Sequence, residues 1–329
     1  MNSQQADDLH SDGDNCDPHV PVITFVADDR FVIFLAAAIA SLLANAHGEP
    51  KLLIFIIDSG VSKRNKDKIS QLAAGKRVRL EWLEPTKAQR GLLKSLPIGY
   101  VGRPCYYKMF IPELLGSEYS RMIYLDSDVI VEADITELWE TDLGDNYVLA
   151  VQDLLNPYVS SPFGLMKWRE MGRAADDELF NAGLLVINAA KWHRENISQR
   201  LVAYLIRNYR EVQLCDQDAM NGVFENKWGR LDTRWNVLPY MEMAKNYSLL
   251  QSKDHENLLM RAHLLHFCGP CKPSNPFCSH PRKDRFFYYL DMTAWSGWRP
   301  PPWLVGTDFL FYYARRLQAM FLRGLCTKR

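Results

Sequence analysis

Residues 20–58 read VPVITFVADDRFVIFLAAAIASLLANAHGEPKLLIFIID, and the alternation inside this stretch decides the fold. Val20–Val26 is apolar and β-branched, the texture of a strand buried on both faces. Phe31–Leu43 is the longest apolar stretch, alanine-rich and preceded by Asp28 and Asp29. Acids near the start suit the positive end of a helix, and the run is too short to span a bilayer. Lys51–Asp58 returns to strand texture. Ser62–Ala74 then reads as helix and Val78–Leu83 as a third strand. Strand, helix and strand in succession predict a parallel, doubly wound α/β sheet. Ligands of such sheets bind beyond the carboxyl ends of the strands, which is where Asp28, Asp29 and Asp58 fall.

Farther along, Met122–Leu125, Tyr147–Val151 and Gly183–Ile187 read as strands, and Ile197–Tyr209 and Gln217–Phe224 as helices. Neither GxGxxG nor GxxxxGK[ST] occurs, so a dinucleotide fingerprint and a P-loop are both unsupported. From about Pro273 the texture changes to proline, aromatic and basic residues. The 39 basic and 39 acidic side chains of the 329 residues cancel, which argues against nucleic acid as the partner. Seven scattered cysteines do not make a disulfide framework in a chain this long. The first residues, MNSQQADDLHSDGDNCD, have neither a basic nor an apolar signal region and read as a disordered tail. The expectation is a soluble chain made in a reducing compartment.

Two segments carry chemistry. In RMIYLDSDVIVE (Arg121–Glu132) an apolar strand runs into Asp126-Ser127-Asp128. Residues i and i+2 of extended backbone project to the same side, so both carboxylates face one cation. Ser127 is small enough to let a ligand approach. Two hard oxygen donors with open positions beside them suit Mg²⁺ or Mn²⁺ bridging to a diphosphate; the bland reading is a solvated turn. The second segment is LLHFCGPCKP (Leu264–Pro273). Cys268 and Cys271 spell a thiol-disulfide pair, Cys268, Cys271, Cys278 and His280 sketch a zinc site, and a third reading takes His266, Gly269 and Lys272 as the functional letters.

With these segments in view, the chain resembles glycosyltransferase family 8, most closely the bacterial lipopolysaccharide and lipooligosaccharide α-galactosyl- and α-glucosyltransferases. Six ordered segments carry the resemblance between about Val22 and Pro273: FVADDRF (Phe25–Phe31), YLDSDVIV (Tyr124–Val131), TDLGDNYVLAVQD (Thr141–Asp153), FNAGLLVIN (Phe180–Asn188), DQDAMN (Asp216–Asn221) and HFCGPCKP (His266–Pro273). The resemblance implies a nucleotide-sugar-binding fold of the GT-A type with a mostly parallel central sheet. It also implies transfer of galactose or glucose from UDP to a lipid-linked saccharide acceptor, with retention at the anomeric carbon. Residue by residue, it implies Asp126, Asp128 and His266 as ligands of Mn²⁺, with Mg²⁺ as the alternative. Asp28 would meet uracil, Phe31 would stack on it, and Arg30 would lie near the ribose. Gly269 and Lys272 would hold the diphosphate. Asp153, Asn181, Ala182, Gly183, Asp216 and Gln217 would surround the sugar, with Gln217 nearest its reactive face and Asp216 the nucleophile of any double displacement. Lys108, in CYYKMF, stands where relatives carry a sugar-contacting arginine, and lysine lacks the bidentate fork. Phe31 stands for a frequent tyrosine, and Ser274 for a frequent tryptophan.

The resemblance favours the third reading of the CGPC segment. A thioredoxin-type pair opens a helix after an early strand, and zinc ligands keep regular spacing; prolines at 273 and 276 suit neither. A non-catalytic nucleotide-sugar-binding protein is the alternative from another class. The expected division is a tail at 1–20, a catalytic domain at 21–285 and a C-terminal segment at 286–329. Within Pro300–Arg329, Leu310, Tyr313, Leu317, Met320 and Phe321 share one helical face, while Arg315, Arg316 and Arg323 share another. Such a helix suits an anionic membrane interface, and the resemblance places the enzyme on the cytoplasmic side of that membrane.

Overall fold

Apolar β-branched runs alternate with helices along the chain, as buried parallel strands require. The computed structural model describes residues 17–48, 51–97, 102–239, 249, 252–269 and 272–301. β1 (Val22–Ala27), α1 (Val32–Asn45), β2 (Leu52–Asp58), α2 (Lys63–Ser70) and β3 (Val78–Leu83) come first, followed by α3 (Lys87–Leu93) and α4 (Ile111–Leu115). Next are β4 (Arg121–Leu125), β5 (Val129–Val131), α5 (Thr136–Trp139), β6 (Val148–Gln152) and β7 (Phe180–Asn188). Then come α6 (Ala189–Arg194), α7 (Ile197–Arg207), α8 (Asp216–Phe224), β8 (Trp228–Arg230), α9 (Ser252–Met260), β9 (Leu264–His266) and α10 (Lys283–Leu290).

The central sheet has the order β3-β2-β1-β4-β7-β6-β8. Its first four strands are parallel, as expected. β7 is antiparallel to both β4 and β6, so the α/β sheet is mostly parallel, as the resemblance implies. The physical reason lies in the connection: residues 153–179 return from β6 without a crossover helix, and an antiparallel neighbour needs none. A two-stranded sheet pairs β5 with β9, setting Val129 opposite His266. These three-residue strands were not foreseen. They bring the Asp126–Asp128 turn against the His266 segment, and the Phe267 amide donates to the Asp128 carbonyl at 2.9 Å.

α1 is buried along most of its length, with Ala36, Ala37 and Ala38 fully enclosed. Its expected acids do not sit in its first turn. Asp28 instead closes a turn onto the Arg30 and Phe31 amides, and Asp29 accepts from the Ser62 amide and Asn65. α10 spans the expected boundary at residue 285. Phe286, Tyr289 and Leu290 are core residues, Phe286 lies 5.1 Å from the Phe34 ring, and the Tyr289 hydroxyl accepts from Asn45 at 2.8 Å. At the other end, Val20 is buried and Trp139 donates to the Pro18 carbonyl, so the ordered body begins before residue 21. The expectations for 1–16 and for the helix within 302–329 lie outside the described residues.

Candidate active site

A single cavity beyond the carboxyl ends of β1 and β4 is lined by every site residue named above, from Asp28, Arg30 and Phe31 through Lys108 and the Asp126–Asp128 turn to Gly269 and Lys272. Among the described residues, one cluster of three histidine, cysteine or acidic side chains has donor atoms within 4.8 Å of one another: Asp126, Asp128 and His266. His266 Nε2 lies 3.6 Å from Asp126 Oδ2 and 3.5 Å from Asp128 Oδ1. The outer oxygens of both carboxylates are taken by ammonium groups, Asp126 Oδ1 by Lys108 at 3.1 Å and Asp128 Oδ2 by Lys272. The inner oxygens thus converge with an imidazole nitrogen, a donor set that fits a divalent cation of the Mn²⁺ or Mg²⁺ type. Burial alone would raise the Asp128 carboxyl, but Lys272 and His266 outweigh it and hold the group well below the usual carboxylate range. Gly183 makes room for the imidazole, since a Cβ there would sit 2.2 Å from His266 Cε1.

At one end of the cavity Asp28 pairs with the Arg30 guanidinium at 2.8 Å. Phe31 is half-buried, with the Lys272 ammonium 5.4 Å from its ring centre. At the other end stands α8. Cys215, with φ of 57°, turns the chain so that the helix starts at Asp216, a backbone that costs strain in a non-glycine residue. Lys108 is buried and reaches Asp126, Asp216 (3.0 Å) and the Ala182 carbonyl (3.1 Å) together. Burial opposes its charge, but the Asp126 and Asp216 carboxylates hold its pKa well above the usual lysine value. The ammonium cross-links two carboxylates. The Asp216 carboxyl is raised, by burial first and by Asp126, against the pull of Lys108.

Gln217 Oε1 accepts from the Ala182 amide (3.1 Å) and from Asn181 (3.2 Å), and Gln217 Nε2 donates to Asp153 Oδ2 (2.9 Å). Asp153 Oδ1 accepts the Leu155 and Asn156 amides, both at 2.8 Å. Asp218 and Asn221 brace the frame: Asp218 accepts the Gln213 and Leu214 amides, and Asn221 ties α8 to Phe180. Trp235 packs in the core.

Some residues of the site were missed. Tyr124 donates to Asp126 Oδ1 at 2.5 Å, a contact that strand periodicity could have disclosed. Asn236 bonds His266, and nothing in TRWN signals it. Leu155, Asn156, Gln213, Leu214 and Leu238 line the same cavity. Cys268 also lines the cavity. Burial, then Asp128 and Asp153, push its thiol far above the usual range, which disfavours the thiolate that a redox role needs. Cys271 lies outside the described residues, and Cys278 and His280 belong to no three-ligand cluster among the described ones.

Comparison with known proteins places this geometry. The family model "Glycosyl transferase family 8" matches residues 22–274. General stress protein A of Bacillus subtilis is 29% identical over 280 residues, covering 83% of this chain and 94% of that protein. Lipopolysaccharide 1,2-glucosyltransferase of Escherichia coli is 24% identical over 283 residues, covering 83% of this chain and 78% of that protein. The crystal structure of galactosyltransferase LgtC in complex with donor and acceptor sugar analogs superposes with a TM-score of 0.69 at 27% identity, covering 83% of this chain and 96% of that one. With the family model spanning most of the described body, and a GT-A fold beneath it, this chain belongs to glycosyl transferase family 8.

Proposed function

We propose that this glycosyltransferase moves galactose or glucose from UDP to a lipid-linked saccharide of the lipopolysaccharide type, retaining the anomeric configuration and using Mn²⁺. The observation that carries the reading is the convergence of Asp126 Oδ2, Asp128 Oδ1 and His266 Nε2 beside Lys272, with Asp153, Asn181 and Gln217 in the same cavity. A divalent cation held there would neutralise the charge that gathers on a departing diphosphate. Lys272 would add a fixed positive charge on that side, Asp28, Arg30 and Phe31 would hold the nucleoside, and Gly269 would let the backbone approach the diphosphate.

Both carboxylates near the sugar end are already engaged. Asp153 is hydrogen-bonded through both oxygens, and Asp216 is paired with Lys108. A carboxylate held this way is a poor nucleophile, which supports departure and attack on one face of the sugar over a double displacement through Asp216. Relatives that transfer glucose and galactose both resemble this chain, so either hexose fits the proposal. A C-terminal segment bearing Arg315, Arg316, Arg323, Lys328 and Arg329 would attach the enzyme reversibly to the anionic cytoplasmic face of a membrane. Each such charge contributes about 1 kcal/mol at most.

The test is UDP release from UDP-galactose and UDP-glucose with a truncated lipopolysaccharide acceptor, with and without Mn²⁺, and product anomericity by NMR. The expected result is cation-dependent transfer with retention, lost in Asp126→Ala. Undiminished transfer in chelator, or an inverted product, overturns the reading.

A further inference from the structure

Four buried amide and imidazole groups form one continuous chain beneath the cavity. Asn236, fully buried at the end of a 3-10 turn (Thr233–Asn236), places Oδ1 2.9 Å from His266 Nδ1 and Nδ2 2.9 Å from Asn181 Oδ1. Asn181 Nδ2 in turn lies 3.2 Å from Gln217 Oε1. The direction of every bond in this chain follows from two backbone amides of β7. The Gly183 amide is a donor only and sits 3.0 Å from Asn181 Oδ1, so that atom is oxygen. An oxygen there requires the Asn236 atom facing it to be nitrogen. The other Asn236 atom is then oxygen, and the His266 Nδ1 facing it carries a hydrogen. Likewise the Ala182 amide, 3.1 Å from Gln217 Oε1, fixes that carboxamide with its nitrogen toward Asp153.

The consequence falls on the far side of the imidazole. With its proton on Nδ1, neutral His266 presents a bare lone pair on Nε2, the nitrogen between Asp126 Oδ2 and Asp128 Oδ1. We propose that Asn236 is a positioning residue that sets the tautomer and direction of the His266 donor, and that couples it through Asn181 to the Gln217 carboxamide at the sugar end. The inference rests on the reading of Asp126, Asp128 and His266 as a divalent-cation site. A carboxamide is the one neutral planar group that accepts and donates at this spacing. Aspartate keeps the acceptor for His266 but turns an oxygen onto Asn181 Oδ1. Alanine leaves the buried His266 Nδ1 without this partner and Asn181 Oδ1 with the Gly183 amide alone.

The experiment compares wild type, Asn236→Ala and Asn236→Asp in the full chain. Mn²⁺ affinity is read from the electron paramagnetic resonance signal of the free ion, without nucleotide. The His266 tautomer is read by long-range ¹H–¹⁵N NMR on cation-free, ¹⁵N-histidine-labelled protein, assigned with His266→Gln. Asn236→Ala is expected to lose about 10–100-fold in Mn²⁺ affinity and to show a mixture of tautomers. Asn236→Asp is expected to recover most of the affinity while transfer stays low, because Asn181 and Gln217 lose their alignment. A merely structural role would move neither the tautomer nor the separation of binding from transfer. Mn²⁺ affinity in Asn236→Ala within twofold of wild type, or a neutral wild-type His266 with its proton on Nε2, overturns the proposal. Should Asn236→Ala not fold, the wild-type tautomer and the Asn236→Asp affinity decide the matter. If wild type binds no Mn²⁺, the cation-site reading fails, whereas the cation-free tautomer still reports on Asn236.

Discussion

The two halves of the central sheet share one apolar core but differ in the polar groups packed against them. On one side β3, β2, β1 and β4 bury Ile23, Ile54, Ile56 and Ile123 completely, and Thr24 satisfies its hydroxyl on the Ile123 carbonyl. On the other, β7 and the elements beside it enclose Asn181, Asp153, Gln217, Asn236 and His266. Apolar packing is non-directional and tolerates small changes of shape. A polar interior is directional, and every group must find its partner or cost its desolvation. The first half supplies the stability against which the second half is held in position. Lys108, on the turn before α4, bridges from the first to the second by pairing with Asp126 and Asp216.

The largest effect therefore belongs to Lys108. Lys108→Met leaves the buried Asp216 and the half-buried Asp126 without their shared cation, and breaking a buried pair from one side costs about 3–5 kcal/mol. Urea unfolding at neutral pH should show that loss, and acid should lessen it as Asp216 takes up a proton. Loss below about 1 kcal/mol would mean the pair behaves as a solvated one and the two halves are not joined here. Gly183→Ala comes next. It adds one methyl group against His266 Cε1, where only 2.2 Å is available. Transfer and Mn²⁺ affinity should each fall by about 100-fold in a chain that still melts cooperatively.

Asp128 gives a pH test of the polar half. Its folded pKa is depressed, so its pairing with Lys272 stabilises the fold fully above the usual carboxylate range. That contribution is lost as pH falls through the folded value. Asp128→Asn should lower stability at pH 6 on the order of 2 kcal/mol, with the two curves converging toward strong acid. Asp216 has the opposite sign, since its raised pKa makes the ionised form a growing cost as pH rises above the usual value. Ile54→Val, in the apolar half, removes one methylene and should cost about 1 kcal/mol in a thermal melt. Its kcat and Mn²⁺ affinity should be unchanged. A selective loss of activity there would break the division between the halves.

The same division explains what was legible in the sequence. β3 falls where its pattern placed it, and β1, β2 and β4 differ by one or two residues, because a strand announces itself in its own composition. The antiparallel course of β7 was not legible, since periodicity carries no direction. β5 and β9 are too short to show a pattern. Asp126, Asp128, Asp216 and Gln217 were found through local motifs, and the fold brings them into one cavity. Asn236 acts through residues 30 and 55 positions away, and contacts at that range leave no trace in TRWN. Lys108 was noticed for the sugar contact of its counterpart in relatives, whereas its three partners here are two carboxylates and a carbonyl.

The smallest expected effect sharpens the comparison within a single segment. His266 and Cys268 are two residues apart and line the same cavity, yet one is tied into the polar chain and the other is not. Cys268 faces Asp128 and Asp153, which together with burial keep its thiol protonated. A protonated thiol is a weak hydrogen-bond partner and a slow nucleophile, so Cys268→Ser exchanges one small neutral group for another. Transfer should stay within about twofold of wild type, equivalent to the roughly 0.5 kcal/mol of a substitution away from any special feature. Neither protein should reduce insulin disulfides. His266→Ala, in contrast, removes a donor from the proposed cation site and should bring Mn²⁺ affinity down by about 10-fold or more. If Cys268→Ser instead lost transfer to the same degree with Mn²⁺ affinity intact, the thiol would be a contact for donor or acceptor. The working part of the 264–273 segment would then extend from the imidazole to the cysteine that at first reading looked like half of a redox pair.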